Sequence, residues 1–197
     1  MKVYELFSGN GDITKTLKEN NINAVSIDYD SKKNPDICKD VYKMSKEDFK
    51  DVCFIWASPD CTTYSFASHG LHRIKGQIPV SKYAKECDIN NEKFITLLKE
   101  LNIPFIIENP RAHFRHMGFV KGLYRVTVYY STYGMEYAKP TDLFSNVDIS
   151  KYFNQTITKG SKPLDYVCSS YKNFLGRCRM PKKLIEDIVK CIKDLKL

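Results

Sequence analysis

Three short stretches of the chain carry residues that could do chemistry. Pro59-Asp60-Cys61 follows the apolar run Val52-Cys53-Phe54-Ile55-Trp56-Ala57 and precedes the hydroxyl-rich Thr62-Thr63-Tyr64-Ser65. A thiol just beyond a buried strand is held by a rigid element yet faces a cleft, which suits a nucleophile. The hydroxyl neighbours and the turn-fixing proline argue against a cysteine packed in an apolar core. The other six, Cys38, Cys53, Cys87, Cys168, Cys178 and Cys191, read as small buried hydrophobes. A second apolar run, Pro104-Phe105-Ile106-Ile107, ends in Glu108-Asn109-Pro110. A carboxyl group at the mouth of a sheet is partly desolvated, so its pKa rises and it can stay protonated for acid work. The alternative for Glu108 is to cap a turn or pair with Arg111.

The third stretch, Phe7-Ser8-Gly9-Asn10-Gly11, is a turn where backbone can approach a ligand without a β-carbon, ahead of a helix with unpaired amides. An ordinary strand-to-helix turn is the plainer reading. Asp28, after Ala24-Val25-Ser26-Ile27, could accept both hydroxyls of a ribose, and Tyr29 offers a ring face to a base. Asp40 could accept an amino group or be a surface aspartate. Together these residues fit a nucleoside without a phosphate chain. His69, His72 and Arg73 read as groups that could meet phosphates or a base. His113 and His116 are spaced for one helix face, but no cysteine or carboxylate pattern completes a ligand set, so no metal site is expected.

These residues must be positioned by a fold, and length and composition bound it. A chain of 197 residues fits one domain with a well-buried core, so a single domain over 1–197 is expected. The formal charge of +8 favours a polyanionic partner. Seven cysteines without a CxxC pair, and no apolar segment after Met1-Lys2, argue against a secretory disulfide framework and for a cytoplasmic, reducing setting. No apolar stretch approaches the roughly 20 residues of a membrane span.

Lys2-Val3-Tyr4-Glu5-Leu6 reads as a first strand, and Ile13, Leu17 and Ile22 place a helix after it. Further strands are expected at residues 24–27, 52–57 and 104–107. Residues 29–43 read as loop and short helix, residues 58–82 as a long active-site loop, and residues 82–101 as a helix. This alternation predicts an α/β fold with a mostly parallel sheet, helices on both faces and ligands at the carboxyl ends of the strands. Residues 124–130 and 142–145 add an antiparallel extension, residues 146–176 are polar and irregular, and Pro181 opens a last helix with Leu184, Ile185, Ile188, Val189 and Ile192 on one face.

Together the motifs resemble the DNA cytosine-5 methyltransferases, particularly the compact phage-type members. Phe7-Ser8-Gly9-Asn10-Gly11 is similar to the family's cofactor loop, Ser58 to Ser65 to its Pro-Cys loop, and Glu108-Asn109-Pro110 to its Glu-Asn motif. Tyr133-Gly134, Lys139-Pro140-Thr141-Asp142 and Arg179-Met180-Pro181 are similar to downstream blocks. The resemblance runs nearly end to end. It implies a Rossmann-like fold, S-adenosylmethionine as methyl donor, no metal and double-stranded DNA as partner, in a bacterial or phage-infected cell and in roles such as restriction-modification. By position it places cofactor contacts on Phe7, Gly9, Asp28, Tyr29 and Asp40, the nucleophile on Cys61 and the acid on Glu108; Ser8, Gly11 and Pro59 are expected beside the cofactor, and Ser65, His69, Arg73 and Asn109 beside the substrate. Arg125 or a loop cation would support the thiol.

Three departures stand out. Asp60 occupies a position where many compact relatives carry a second proline, and its charge should raise the thiol pKa. The arginine pair that braces the family's catalytic pocket is reduced to Arg125. No large separate target-recognition domain is expected within these 197 residues, so residues 65–81, residues 146–176 or a second protein subunit are expected to read the target. An RNA (tRNA) cytosine-5 methyltransferase and a catalytically weak nucleic-acid-binding homologue or subunit stay open as alternatives.

Overall fold

A computed structural model describes residues 2–160 and 179–195 of the chain. The chain opens with strand β1 (Lys2–Leu6), buried along nearly its whole length. The turn after it reaches Gly11, whose left-handed φ of 66° starts helix α1 (Asp12–Glu19). Helix α1 buries Ile13, Thr14 and Leu17 on one face. It stops at Asn20, and Asn21 turns left-handed at φ 59°. Ile22 therefore lies beyond the helix, where its amide still closes onto the Leu17 carbonyl at 3.0 Å. Strand β2 (Ala24–Asp28) follows, then the short β3 (Ile37–Cys38), which is paired with β2 where the sequence suggested loop.

Strand β4 (Val52–Ala57) returns beside β1, across from β2. Residues 58–81 are more ordered than the long loop the sequence implies. They hold short 3₁₀ turns and a two-stranded hairpin, β5 (Arg73–Ile74) with β6 (Ile78–Pro79). Ser81 caps helix α2 (Lys82–Glu100), its hydroxyl accepting the Ala84 amide at 3.0 Å. Strands β7 (Phe105–Pro110), β8 (Tyr124–Tyr129) and β9 (Pro140–Ser145) complete the sheet, and helix α3 (Lys182–Asp194) begins after Pro181.

The seven-stranded sheet has the order β3-β2-β1-β4-β7-β9-β8. The five strands from β3 to β7 are parallel, and β9 runs antiparallel to both β7 and β8. Side-chain alternation along the strands builds two cores. Val3, Phe54, Trp56, Ile106, Val126, Val128 and Leu143 face the side covered by α1 and α3, which contribute Leu17, Leu184, Ile188 and Ile192. Tyr4, Leu6, Ile55, Ala57, Phe105, Ile107 and Phe144 face α2, which contributes Phe94, Ile95 and Leu98. Each fully buried side chain of this kind contributes roughly 1.5–3 kcal/mol of burial.

The chain winds outward from β1 to β3 and then returns to β4, so the turns after β1 and β4 leave the sheet as neighbours. That is the crevice at which doubly wound folds hold ligands. Among the described residues, no helix is long and apolar enough to cross a membrane.

Candidate active site

The turn after β1 is shaped by its backbone. Phe7, Gly9 and Gly11 have φ of 54°, 50° and 66°. A β-carbon built on Gly9 would meet nothing within 4 Å, so the space above it is open. Asp28 fixes this turn to the end of β2: its Oδ2 accepts the Gly9 amide at 2.9 Å and its Oδ1 the Asp30 amide at 2.9 Å. The Ser8 amide donates to the Ile27 carbonyl at 3.1 Å, while Ser8 Oγ is buried with no hydrogen-bond partner among the described residues. Phe7 packs its ring against Tyr42 and Phe94, with centroids 5.0 and 5.3 Å away. Tyr29 is 76% exposed. Asp40 caps a turn, Oδ1 accepting the Tyr42 amide at 3.1 Å, and pairs with Lys43 at 3.4 Å.

Sequence reasoning missed Glu5. Its side chain is buried, and its Oε2 accepts the Thr14 amide at 2.7 Å, fastening the first turn of α1 to β1. Burial pushes its pKa up to about 7. The available signal was a charged residue inside an otherwise apolar first strand.

The turn after β4 is shaped by side chains. Pro59 is buried, and its carbonyl accepts the Asn109 side-chain amide at 3.2 Å, which joins the ends of β4 and β7. Asn109 Oδ1 is left buried and unpartnered among the described residues. Asp60 Oδ1 accepts both the Thr62 amide at 2.9 Å and the Thr62 hydroxyl at 2.6 Å, and Asp60 Oδ2 accepts the hydroxyl of Tyr83 on α2. Cys61 sits between these contacts, half-buried. Burial, and then the charge of Glu108, push its thiol up to about 11; Lys139 opposes this and Asp60 adds to it.

Glu108 lies at the end of β7 with Oε1 buried and unpartnered among the described residues. Burial raises its pKa, against the charge of Lys139 and a hydrogen bond from Ser58. Ser58 Oγ in turn accepts Trp56 Nε1 at 2.9 Å. The far wall is Tyr130, fully buried, whose phenol is held in the neutral form by burial and by the nearby Glu108 and Cys61. Lys139 Nζ lies 4.7 Å from the Tyr130 ring centroid. Lys139 and Tyr130 are the functional candidates that sequence reasoning passed over. Lys139 was visible only as part of a Lys-Pro-Thr-Asp block, with nothing local to say that it faces Cys61.

Several sequence expectations are corrected here. Arg125 does not support the thiol: it is exposed and pairs in register with Phe144, whose side chain belongs to the α2 face. Glu108 pairs with Leu143, on the opposite face of the sheet, so alternation alone keeps Arg125 away from Cys61. Arg73 does not reach toward phosphates or a base. It is fully buried, with Nε on the Thr63 carbonyl at 2.8 Å, Nη2 on Asp88 at 2.5 Å and its guanidinium 4.3 Å from the Tyr64 ring centroid. Only in this way can the buried charge be neutralised. Cys38 is exposed rather than buried, because β3 is an edge strand.

Ser65 is half-buried, and its carbonyl accepts the Ser68 hydroxyl at 2.7 Å. His69 is exposed and stacks on His113 at 5.4 Å. His72 Nδ1 is 2.8 Å from Ser81 Oγ. Arginines bonded to the β8–β9 ribbon are engaged elsewhere: Arg115 is taken up by Asp142 through two contacts of 2.9 Å, and Arg111 donates to the Tyr129 hydroxyl at 2.7 Å. No group of three or more potential metal ligands is present among the described residues. The start of the 146–176 segment packs inward through Ile149, Tyr152 and Phe153. Its remainder from residue 161, with Cys168, lies outside the described residues, as does Cys178.

No protein-family model matches the chain, and no curated protein matches it. Solved structures do. The Dnmt2 methyltransferase of S. pombe matches with a TM-score of 0.52 at 18% identity, over 85% of this chain and 55% of that one. A prophage-encoded protein of E. coli, described as a DNA modification methyltransferase, matches with a TM-score of 0.52 at 17% identity, over 86% and 54%. The methyltransferase EhMeth of Entamoeba histolytica matches with a TM-score of 0.50 at 17% identity, over 86% and 65%. The chain thus covers between 54% and 65% of the length of these three proteins. With the sheet order described above, these matches give the chain the Rossmann-like fold of S-adenosylmethionine-dependent methyltransferases.

Proposed function

We propose that the chain transfers a methyl group from S-adenosylmethionine to carbon 5 of cytosine in DNA, with Cys61 as nucleophile and Glu108 as acid. The observation that carries this reading is the placement of Cys61 and Glu108 at the ends of the adjacent strands β4 and β7, which Asn109 joins by donating to the Pro59 carbonyl at 3.2 Å. The names of the matched proteins, a Dnmt2 methyltransferase and a DNA modification methyltransferase among them, support it.

The turn after β1 fits the donor. Ser8 Oγ is a buried hydroxyl without a partner among the described residues, Gly9 leaves open space, and Tyr29 presents an exposed ring. Phe7, Ser8, Gly9, Gly11, Asp28, Tyr29 and Asp40 would hold it, with Pro59 closing the side toward Cys61. Bound there, S-adenosylmethionine supplies an electrophilic methyl group on a sulfonium sulfur.

The residues of the chain do the rest. Cytosine must leave the base stack before its ring carbons can be reached. A thiol with a pKa of about 11 is ionised in only about one molecule in ten thousand at neutral pH, so Cys61 needs activation. Glu108 provides part of it by being protonated, since a neutral carboxyl group no longer repels the thiolate. The same proton, held next to ring nitrogen 3, draws electrons from the ring as the Cys61 thiolate adds to carbon 6. Carbon 5 then becomes the nucleophile, and after methylation its proton passes to water as the carbon 6–sulfur bond breaks and the Cys61 thiolate is released. Lys139 favours the thiolate throughout.

Labelled methyl transfer by the purified chain tests this reading, with DNA and RNA offered in parallel and bisulfite sequencing of the DNA product. Methyl groups at carbon 5 of cytosine in DNA, lost with Cys61→Ser, are the expected result. Transfer only to RNA would reassign the substrate, and no transfer to either would remove the activity.

A further inference from the structure

The geometry points to Asp60 and Tyr83 as a pair of positioning residues that hold the Cys61 turn against helix α2. The inference deepens the proposed function but rests on contacts of its own. Asp60 uses both carboxylate oxygens: Oδ1 closes the turn over Cys61 onto the Thr62 amide and hydroxyl, and Oδ2 takes the Tyr83 hydroxyl from the first turn of α2.

A second tether holds the other side of the same turn. Tyr64 OH donates to Asp88 at 2.7 Å and accepts the Asn91 amide at 3.0 Å, while Arg73 joins Thr63 to Asp88. Tyr83, Cys87 and Asn91 follow at intervals of four along α2, so both tethers meet neighbouring ridges of one helix. The two differ in burial. Thr63, Tyr64, Arg73 and Asn91 are fully buried, whereas Tyr83 is 45% exposed. The inner tether belongs to the fold; the outer one can be cut without opening the core.

This gives Asp60 a purpose that its charge alone obscures. A carboxylate next to the thiol works against thiolate formation, and Asp60 does contribute to the raised pKa. Its side chain, however, fixes the turn that a residue with no hydrogen-bonding side chain would leave free. Placement of a nucleophile is worth more than its acidity when misplacement by about 1 Å costs on the order of a hundredfold in rate.

Three variants test the pair: Asp60→Ala, Asp60→Asn and Tyr83→Phe. The first readout is alkylation of Cys61 by iodoacetamide across pH in the protein without donor or nucleic acid, followed by mass spectrometry of the Cys61 peptide. It stands whether or not methyl transfer is found. Tyr83→Phe removes one hydroxyl from a half-exposed ring, so its melting temperature should match the wild type, while Cys61 alkylation at pH 8 rises several-fold as the turn loosens. Asp60→Ala should do the same. Asp60→Asn retains an acceptor for Thr62 and a donor for Tyr83, so it should keep the wild-type exposure while its alkylation profile moves to lower pH.

The second readout is turnover. Asp60→Ala and Tyr83→Phe should each lower kcat about tenfold or more with donor affinity unchanged, and the double variant should fall no further than the worse single one. Asp60→Asn should recover most of the rate. Wild-type alkylation in Tyr83→Phe would overturn the inference, as would additive losses in the double variant. Absence of methyl transfer in every form, with the alkylation pattern intact, would count against the proposed function and leave the positioning pair standing.

Discussion

The two turns that meet at the carboxyl edge of the sheet are built by different means. The turn after β1 is a backbone structure: three left-handed residues, amides fixed by Asp28, and a helix start fastened by Glu5. The turn after β4 is a side-chain structure, held by Asn109 on Pro59, Asp60 on Thr62 and Tyr83, and Arg73 on Thr63. A backbone-built turn presents the same amides in every protonation state, which suits holding a ligand in place. A side-chain-built turn can be adjusted by one hydroxyl or one proton, which suits a group that must change its ionisation during a reaction. Buried polar atoms without a partner among the described residues are found in both, Ser8 Oγ in the first and Glu108 Oε1 and Asn109 Oδ1 beside the second. These are the atoms with capacity left for a ligand.

The largest expected effect lies in the side-chain-built half. Glu108→Gln keeps the shape but cannot give up a proton, so methyl transfer should fall by about 10²–10⁴-fold. Because burial raises the Glu108 pKa, the protonated form persists above the ordinary carboxylate range, and wild-type activity should climb with the Cys61 thiolate only up to that raised value and run along a flat limb above it. The glutamine variant should lose this limb, and rate–pH profiles of both proteins would check it. A variant that still shows the limb would place the titrating acid elsewhere.

In the backbone-built half the expected effect falls on stability. Folded Glu5 holds its proton up to a pH of about 7, against the ordinary 4.5, so the folded state binds more protons than the unfolded one between these values. Stability is then greatest below the unfolded pKa and declines as pH rises through the folded one, by roughly 3 kcal/mol in all. Glu5→Gln keeps an acceptor for the Thr14 amide and removes the charge. Its melting temperature should match the wild type near pH 4 and exceed it increasingly up to pH 8, as thermal unfolding across pH would record. Equal melting curves at every pH would mean that Glu5 is better solvated than its burial implies.

The smallest effect is expected at Arg125. It is exposed on the sheet face away from Glu108, so Arg125→Ala should leave the Cys61 alkylation profile and the methyl-transfer rate within about twofold. A large loss of thiol reactivity would bring Arg125 back to the site and erase the contrast between the two faces of β8.

Much of the scaffold was legible because it is periodic. The runs before Phe7, Asp28, Ser58 and Glu108 became β1, β2, β4 and β7, and the four-residue spacing of apolar groups became α2 and α3. The short pieces escaped. Strand β3 is two residues long and exposed, and the β5–β6 hairpin pairs two residues on each side, so neither is long enough to show a period. At the candidate site, Cys61 and Glu108 could be picked out because a reactive group directly after an apolar run is locally conspicuous. Lys139 and Tyr130 could not, since each is ordinary among its sequence neighbours and becomes notable only beside the other and beside Glu108.

The sequence by itself thus determined the strands, the helices and which residue types stand at the strand ends, because these follow from the spacing of apolar groups and from the chemistry of single side chains. Only the tertiary structure decided the partners. It buried Arg73 against Asp88, turned Arg125 away, set Lys139 over Tyr130 and gave Asp60 a hydroxyl on α2. The physical reason is that a charge declares its sign locally, whereas what neutralises it depends on sheet register and on which helix covers which face, and those are fixed by contacts between residues far apart in the chain.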